Sequence, residues 1–406
     1  MKENTGIYIH IPFCVRKCNY CAFLSAPSDE RTREEYVQSL INEIGMRSVT
    51  DVCDTVYFGG GTPSVLKPEQ IERILDSVRT QFSISEDAEI TIEANPGTLG
   101  DDNDSALSTL KSYRRMGINR LSMGVQSMDD DRLKYLGRIH DSESVKRDIA
   151  LAREAGFDNI NLDIIFSVPG ETLEEAMEDI RQIAELEPEH ISFYSLQLEE
   201  GTPLFEQWES GAIEEVSDDV DRETYHRGCS MLKALGYEQY EISNFARMAE
   251  HDGQHDGQHD GQCDDRRSRH NSKYWSMTPY VGIGLGASGF EHGTRYRNLT
   301  KLSDYEAAIR DGKLPVEEEH VNTAHDNISE SVFLGLRRIE GVKFADVPLE
   351  EAGLTRDEKG FRQYYKEAMK DAHSFEETGH LIIDDEGIRL TETGIDISNS
   401  IMALFV

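Results

Sequence analysis

The first half of the chain repeats one unit. A short apolar run, rich in β-branched and aromatic residues, stops at glycine, proline or a polar cluster, and a segment with apolar residues at i, i+3, i+4 and i+7 follows it. The runs IYIHIP, TVYFGG, EITIEANP, INRLSMGVQS, INLDIIFSVPG and HISFYSLQLE read as strands. Helices are expected at Val37, Leu40, Ile41 and Ile44, at Ile71, Ile74, Leu75 and Val78, across Leu107–Met116, around Leu133, across Val145–Ala155, and from Thr172 to about Leu186. Such alternation implies an α/β fold with a parallel sheet and helical crossovers, either an open doubly wound sheet or an incomplete barrel. Both put reactive ligands at the carboxyl ends of the strands.

The candidate motifs sit at those ends. After the first strand comes HIPFCVRKCNYC, in which Cys14, Cys18 and Cys21 are spaced C-x3-C-x2-C. Three thiolates can each hold one corner of a cubane iron–sulfur cluster and leave the fourth iron open to a reactant. The rival reading is structural zinc, which wants four ligands; His10 is the available fourth, but it lies on the strand before the loop. Arg16 and Lys17 are cationic neighbours that favour thiolate. Gly59-Gly60-Gly61-Thr62-Pro63 closes the second strand, where bare backbone can meet a ligand; no following Lys-Ser or Lys-Thr makes it a phosphate loop. Glu93, Gln126, Arg138 and Asp163 are polar residues on or just after core strands. They form either an internal salt-bridge network or the wall of a polar cofactor pocket, with carboxylates for ribose hydroxyls and Arg138 for a carboxylate.

Composition excludes several function classes. The 406 residues carry a formal net charge of −35, which opposes phosphate neutralisation on nucleic acid and binding to an anionic membrane, and is compatible with a salt-adapted source. No apolar run approaches a membrane span, and the opening MKENTGIYIHIPFC has no signal-like region, so a cytosolic protein is expected. A reducing compartment also suits six cysteines of which three are clustered. The other three, Cys53, Cys229 and Cys263, read as buried or incidental.

Past the sixth strand a helix is expected at Val220–Leu235. Three copies of HDGQ at residues 251–262 place His251, His255 and His259 four apart, but a glycine in each copy opposes a helix, so a disordered insertion is expected. His270-Asn271-x-x-Tyr274-Trp275 joins a metal-ligating side chain to two large aromatics; a surface turn with a packing Trp is the default, and an axial haem ligand flanked by aromatics is the functional alternative. A glycine-rich stretch, VGIGLGASGF, comes next. The end reads as two short strands around an Asp-Glu-Gly turn and a final helix, compatible with a winged-helix-like unit.

Taken together, IYIHIPFCVRKCNYC, YFGGGTPS, TIEANPGT, RLSMGVQS, LGRIH, NLDIIFSVPGET, FYSLQLEEGTPL and YEISNFA resemble the radical SAM superfamily and, within it, the family of the oxygen-independent coproporphyrinogen III oxidase. HNSKYW is similar to the haem-chaperone branch of that family, and so is Phe23, which stands where the oxidase has a further cysteine. The resemblance implies an incomplete (β/α)6 radical-SAM barrel over residues 1–240, an insertion and haem-motif region over 241–299, and a HemN-type C-terminal domain over 300–406. It implies a [4Fe-4S] cluster on Cys14, Cys18 and Cys21, S-adenosylmethionine (SAM) on its fourth iron, and contacts to that cofactor from Tyr8, Gly60, Gly61, Thr62, Glu93, Gln126, Arg138 and Asp163. His270 would contact haem, carried as cargo. A haem-accepting protein and an electron donor are the implied partners; a homodimer stays open, and membrane contact would come only through a partner. The alternative activity is oxidative decarboxylation of coproporphyrinogen III. One departure touches haem handling: relatives often read GPGAHS where this chain has GLGASG, so Leu285 and Ser288 replace a proline and a histidine.

Overall fold

The computed structural model describes residues 4–49, 51–248 and 266–406. The HDGQ repeat, its three histidines and Cys263 lie outside the described residues.

The expected alternation is present. In chain order it runs β1 (Thr5–Ile11), α1 (Glu30–Met46), β2 (Cys53–Gly60), α2 (Pro68–Gln81), β3 (Ile84–Ala94), α3 (Asn103–Arg115), β4 (Arg120–Gln126), α4 (Asp130–Tyr135), α5 (Ser142–Glu154), β5 (Ile160–Phe166), α6 (Leu173–Ala184) and β6 (His190–Ser195). Local chemistry sets the helix starts. Asp29 caps α1 through the Thr32 N–H, and Asp102–Ser105 and Thr172–Glu175 form capping boxes on α3 and α6. Strands β1 to β6 pair in parallel. The face that the helices cover is apolar: Ile7, Ile9, Ile11, Val56, Phe58, Ile92, Leu121 and Leu162 are fully buried.

The following elements are α7 (Pro203–Glu209), α8 (Asp218–Ala234), β7 (Tyr237–Glu241), β8 (Asn244–Arg247), α9 (Arg269–Trp275), β9 (Tyr280–Ile283), β10 (Ser288–Glu291), β11 (Thr294–Asn298), α10 (Leu302–Arg310) and β12 (Val316–Val321). All these strands join the same sheet, whose order is β12-β11-β10-β9-β1-β2-β3-β4-β5-β6-β8-β7. The six parallel strands are therefore a partial barrel, flanked by β9, parallel to β1, and by β8, antiparallel to β6. The sheet runs across residues 240 and 299 without a break.

The glycine-rich stretch is the β9–β10 corner. A Cβ on Gly282 would stand 1.9 Å from the Ser288 carbonyl oxygen, so only glycine lets the chain double back there. β6 stops at Ser195, four residues before the expected end of HISFYSLQLE. Its neighbour β5 ends at Phe166, opposite Ser195, and beyond that pair Leu196–Glu199 leave the sheet. β3 starts at Ile84, ahead of the expected EITIEANP, because Cys53 of β2 pairs with Ile84.

The C-terminal part packs α11 (Ala324–Gly335), β13 (Val342–Lys343), α12 (Glu358–Tyr364), α13 (Ala368–Glu377), β14 (Leu381–Ile383), β15 (Gly387–Leu390), α14 (Glu392–Asp396) and α15 (Ser398–Met402). The three short strands form their own antiparallel sheet, β13-β15-β14, as expected for a winged-helix-like unit. The expected final helix is two short ones, because Ile397 adopts a non-helical backbone at φ −117°. Among the described residues no helix is long and apolar enough to cross a membrane.

Candidate functional site

Strand periodicity places the site. Successive side chains on a strand alternate faces, so one face of each parallel strand points into the partial barrel. Tyr8 and His10 on β1, Thr55 and Tyr57 on β2, Glu89, Thr91 and Glu93 on β3, Ser122 and Gly124 on β4, Asn161 and Asp163 on β5, and Ser192 and Tyr194 on β6 share that interior. Cross-strand register aligns Tyr8 with Tyr57, Glu93 with Ser122, and Asp163 with Ser192.

At the carboxyl ends of these strands lies a cavity of about 360 Å³. Its wall takes Cys14, Cys18, Cys21, Gly60, Gly61, Thr62, Glu93, Gln126, Arg138 and Asp163, which are all three expected cluster cysteines and seven of the eight expected SAM contacts. Tyr20, Phe23, Asn95, Tyr194, Leu196, Gln197 and Glu199 complete much of the rest. The last three come from the segment that leaves the sheet after β6.

The cysteine loop is pinned at both ends. The Cys14 N–H donates to Ala26 O at 3.2 Å and the Thr62 N–H to Phe13 O at 2.7 Å. Asn19 donates through its side chain to Tyr135 O at 2.8 Å and through its backbone to Leu136 O at 2.9 Å, tying the loop to the end of α4. Thr62 Oγ1 donates to Cys14 Sγ at 3.5 Å, and Arg138 Nη1 donates to Cys18 Sγ at 3.4 Å. Among the described residues no three His, Cys, Asp or Glu side chains converge on a single ion position. His10 is not a free ligand: its Nε2–H donates to Leu24 O at 3.0 Å, so its Nδ1 accepts the Tyr8 hydroxyl at 3.0 Å. Cys53 and Cys229 are free thiols pushed up to about 12 by burial, and neither lines the cavity.

The cavity floor is acidic but poorly solvated. Burial pushes Glu93 up to about 7; hydrogen bonds from the Tyr57 hydroxyl, at 2.7 Å, and the Gly60 N–H, at 3.1 Å, pull the other way. Burial also raises Asp163, against donors from Asn161 and Ser192. Gly60 has φ +114°, and a Cβ there would stand 2.5 Å from the His10 ring, so the turn that aims its N–H at Glu93 requires glycine. Gln126 takes a positive φ of 74° at an irregularity in the β4–β5 ladder and accepts the Tyr194 hydroxyl at 3.2 Å. Two carboxylates that burial opposes more strongly than the guanidiniums of Arg120 and Arg138 offset, with Arg138 on the cavity wall, make a site complementary to a ligand with its own cation and carboxylate.

Tyr8 and His270 stand apart from this set. Both lie beneath the cavity, their rings 6.3 Å apart and near parallel. His270 is 1% exposed. Its Nδ1 meets Thr55 Oγ1 at 2.8 Å and its Nε2 meets the Tyr274 hydroxyl at 2.9 Å. Glu89 accepts the Arg269 and His270 N–H groups, at 3.2 and 3.1 Å, so a carboxylate inside the barrel anchors the first turn of α9. The HNSKYW segment is thus neither a surface turn nor part of the cavity wall; it closes the amino end of the barrel. Ser288, where relatives often have histidine, is exposed on β10, and Leu285 is buried.

Sequence reasoning missed the interior polar chain that joins the two ends. The Ser268 N–H donates to the Tyr240 hydroxyl at 3.2 Å, and that hydroxyl meets His190 Nε2 at 2.9 Å. His190 Nδ1–H donates to Asn161 Oδ1 at 2.5 Å, and Asn161 Nδ2 donates to Asp163 at 2.8 Å. Asn95, which touches the side-chain donors Thr62 and Arg138, was missed as well. Its signal was its place two residues after Glu93, on the same face of an extended segment.

Comparison with known proteins agrees with this geometry. The model of the Radical SAM superfamily matches residues 8–183, and that of the HemN C-terminal domain matches residues 322–397. A protein named heme chaperone HemW from Lactococcus lactis is 32% identical over 100% of this chain and 98% of its own, and the HemW of Bacillus subtilis is 33% identical over 98% of each. The HemW of Escherichia coli is 40% identical over 70% of this chain and 69% of its own. The solved structure of E. coli coproporphyrinogen III oxidase (HemN), a radical SAM enzyme, superposes with a TM-score of 0.82 over 99% of this chain and 90% of its own at 23% identity, which speaks to the fold. The chain belongs to the HemW family of the radical SAM superfamily.

Proposed function

We propose that this protein is a haem chaperone that holds a SAM-liganded [4Fe-4S] cluster in the strand-end cavity and passes haem to an acceptor protein. The observation that carries the reading is the cavity wall: three cysteines of one loop, with Phe23 rather than a further cysteine beside them, face Glu93, Asp163 and Arg138 in a chain similar over its whole length to proteins named heme chaperone. The residues fit both cofactors. Cys14, Cys18 and Cys21 would hold the cluster, and Thr62 and Arg138 already donate to two of the sulfurs. Glu93 and the backbone of Gly60 and Gly61 would take the ammonium of SAM, Arg138 its carboxylate and Asp163 its ribose hydroxyls, with Gln126 closing the wall. Bound there, the cluster would supply an electron next to a sulfonium; an electron donor is then a second partner.

His270 does not fit an axial haem ligand where it stands. Both ring nitrogens are engaged, the ring is sealed from the cavity, and burial holds it far below its ordinary range, at about 3.

The test is anaerobic. The full chain is reconstituted with iron and sulfide, then given SAM, reductant and either haem or coproporphyrinogen III. The expected result is stable haem binding, release of haem to an apo-cytochrome, and no porphyrin product. Formation of protoporphyrinogen would overturn the reading in favour of the oxidase.

A further inference from the structure

Two side-chain donors to the cluster cysteines are held by one side chain. Asn95 Nδ2 donates to Thr62 Oγ1 at 2.8 Å, and Asn95 Oδ1 accepts from Arg138 Nη2 at 2.6 Å. A guanidinium can only donate, so Arg138 decides which end of the amide faces it. The NH2 end is then committed to the Thr62 oxygen. With that oxygen acting as acceptor, the hydroxyl proton of Thr62 is left for Cys14 Sγ, 3.5 Å away. Arg138 is held on the same side by Gly124 O as it reaches Cys18 Sγ at 3.4 Å. Glycine makes the meeting possible: a Cβ at residue 124 would stand 2.8 Å from Asn95 Oδ1 and 3.2 Å from Arg138 Nη2.

We propose that Asn95 is a positioning residue for the cluster, orienting Thr62 and Arg138 as donors to two of its three thiolates and thereby raising its reduction potential. The proposal rests on the cluster assignment above. The physical basis is that hydrogen bonds to cluster sulfurs withdraw electron density and favour the reduced state. Asn95 touches no sulfur itself; it acts through the two groups that do.

The geometry separates two substitutions. In Asn95→Leu the Thr62 hydroxyl loses its orienting partner, while Arg138 keeps Gly124 O. In Asn95→Asp the carboxylate accepts from both Thr62 and Arg138, draws the hydroxyl proton away from Cys14 and adds negative charge. Full-length protein and the variants Asn95→Leu, Asn95→Asp and Thr62→Val are reconstituted anaerobically, assayed for iron and sulfide, and titrated electrochemically without SAM, following the reduced cluster by electron paramagnetic resonance. The midpoint is expected to move to more negative potential in all three, furthest in Asn95→Asp. Unchanged midpoints in both fully loaded Asn95 variants would overturn the proposal, and so would a shift confined to Thr62→Val. If the Asn95 variants load no cluster while Thr62→Val does, Asn95 acts on assembly instead, and the proposal also fails. Failure of the cluster assignment is read separately, as unmodified protein that takes up no iron and sulfide.

Discussion

The His270 imidazole stacks on the Tyr57 ring, with centroids 5.1 Å apart and planes 26° apart, while the hydroxyl of that same tyrosine donates to Glu93 at 2.7 Å. Tyr57 therefore has its ring against the helix that closes the barrel and its hydroxyl on the floor of the cofactor cavity. The chain from Ser268 through Tyr240, His190 and Asn161 to Asp163 makes a second connection between the same two places.

Tyr57→Phe should weaken SAM binding through Glu93. The hydroxyl favours the carboxylate, so its loss pushes Glu93 further above its present value of about 7. An ammonium ligand needs the ionised form, and a lost hydrogen bond of about 1 kcal/mol corresponds to roughly five-fold weaker binding near neutral pH. Calorimetry on reconstituted protein should show that loss near neutrality, recovery in alkaline buffer, and proton release by the unmodified protein in buffers of different ionisation enthalpy. Affinity of the unmodified protein that does not change with pH would sink the assignment of Glu93.

His270 should make the fold acid-sensitive. Burial, with help from the charges of Lys273 and Arg120, lowers its pKa from 6.5 to about 3. Across that window the unfolded chain holds a proton that the folded chain refuses. The stabilisation is complete above 6.5 and is lost progressively as pH falls toward about 3. His270→Gln keeps hydrogen-bonding capacity and removes the titration, so its stability in urea should fall less steeply on acidification than that of the unmodified protein. His270→Ala, which empties a stacked and doubly hydrogen-bonded site, should cost about 3 kcal/mol at neutral pH. Equal slopes in the parent and His270→Gln would show that the ring is not sealed as described.

A third expectation concerns the seam between α1 and the β9–β11 strands. Glu43, fully buried, accepts from Arg47 at 2.8 Å, Asn298 at 2.8 Å, the Gly284 N–H at 2.8 Å and the Tyr305 hydroxyl at 2.7 Å. Glu43→Ala strands the Arg47 guanidinium in the interior and should cost about 3–5 kcal/mol in urea unfolding, with Glu43→Gln costing less. A loss under about 1 kcal/mol in Glu43→Ala would mean that water reaches the node.

Much of the site was legible because strand ends are where a parallel sheet presents ligands. Cys14, Cys18 and Cys21 were readable from spacing, and Gly60, Glu93, Gln126, Arg138 and Asp163 from polar or glycine residues at the ends of apolar runs; all line one cavity. Tyr8 and His270 were read toward cofactors on motif resemblance and stand below that cavity. Nothing in a motif tells whether a strand residue faces the carboxyl or the amino half of a barrel.

By itself, the sequence determined the six strands of the first half, the helices between them and their order. Periodicity and stop signals act over a few neighbours, so apolar spacing marked the crossover helices, which Asp29, Asp102 and Thr172 were then found to cap, and the six apolar runs marked the strands. Tertiary structure decided what meets across the interior. The parallel pairing of β9 with β1 joins residues 280–283 to residues 6–9, and nearby α9 sits under the barrel, its His270 against Tyr57. The missing side chain at Gly124 on β4 lets Asn95 hold Arg138 and Thr62 at once. Such contacts depend on register and strand order, which are set by packing over hundreds of residues and leave no local periodicity to read.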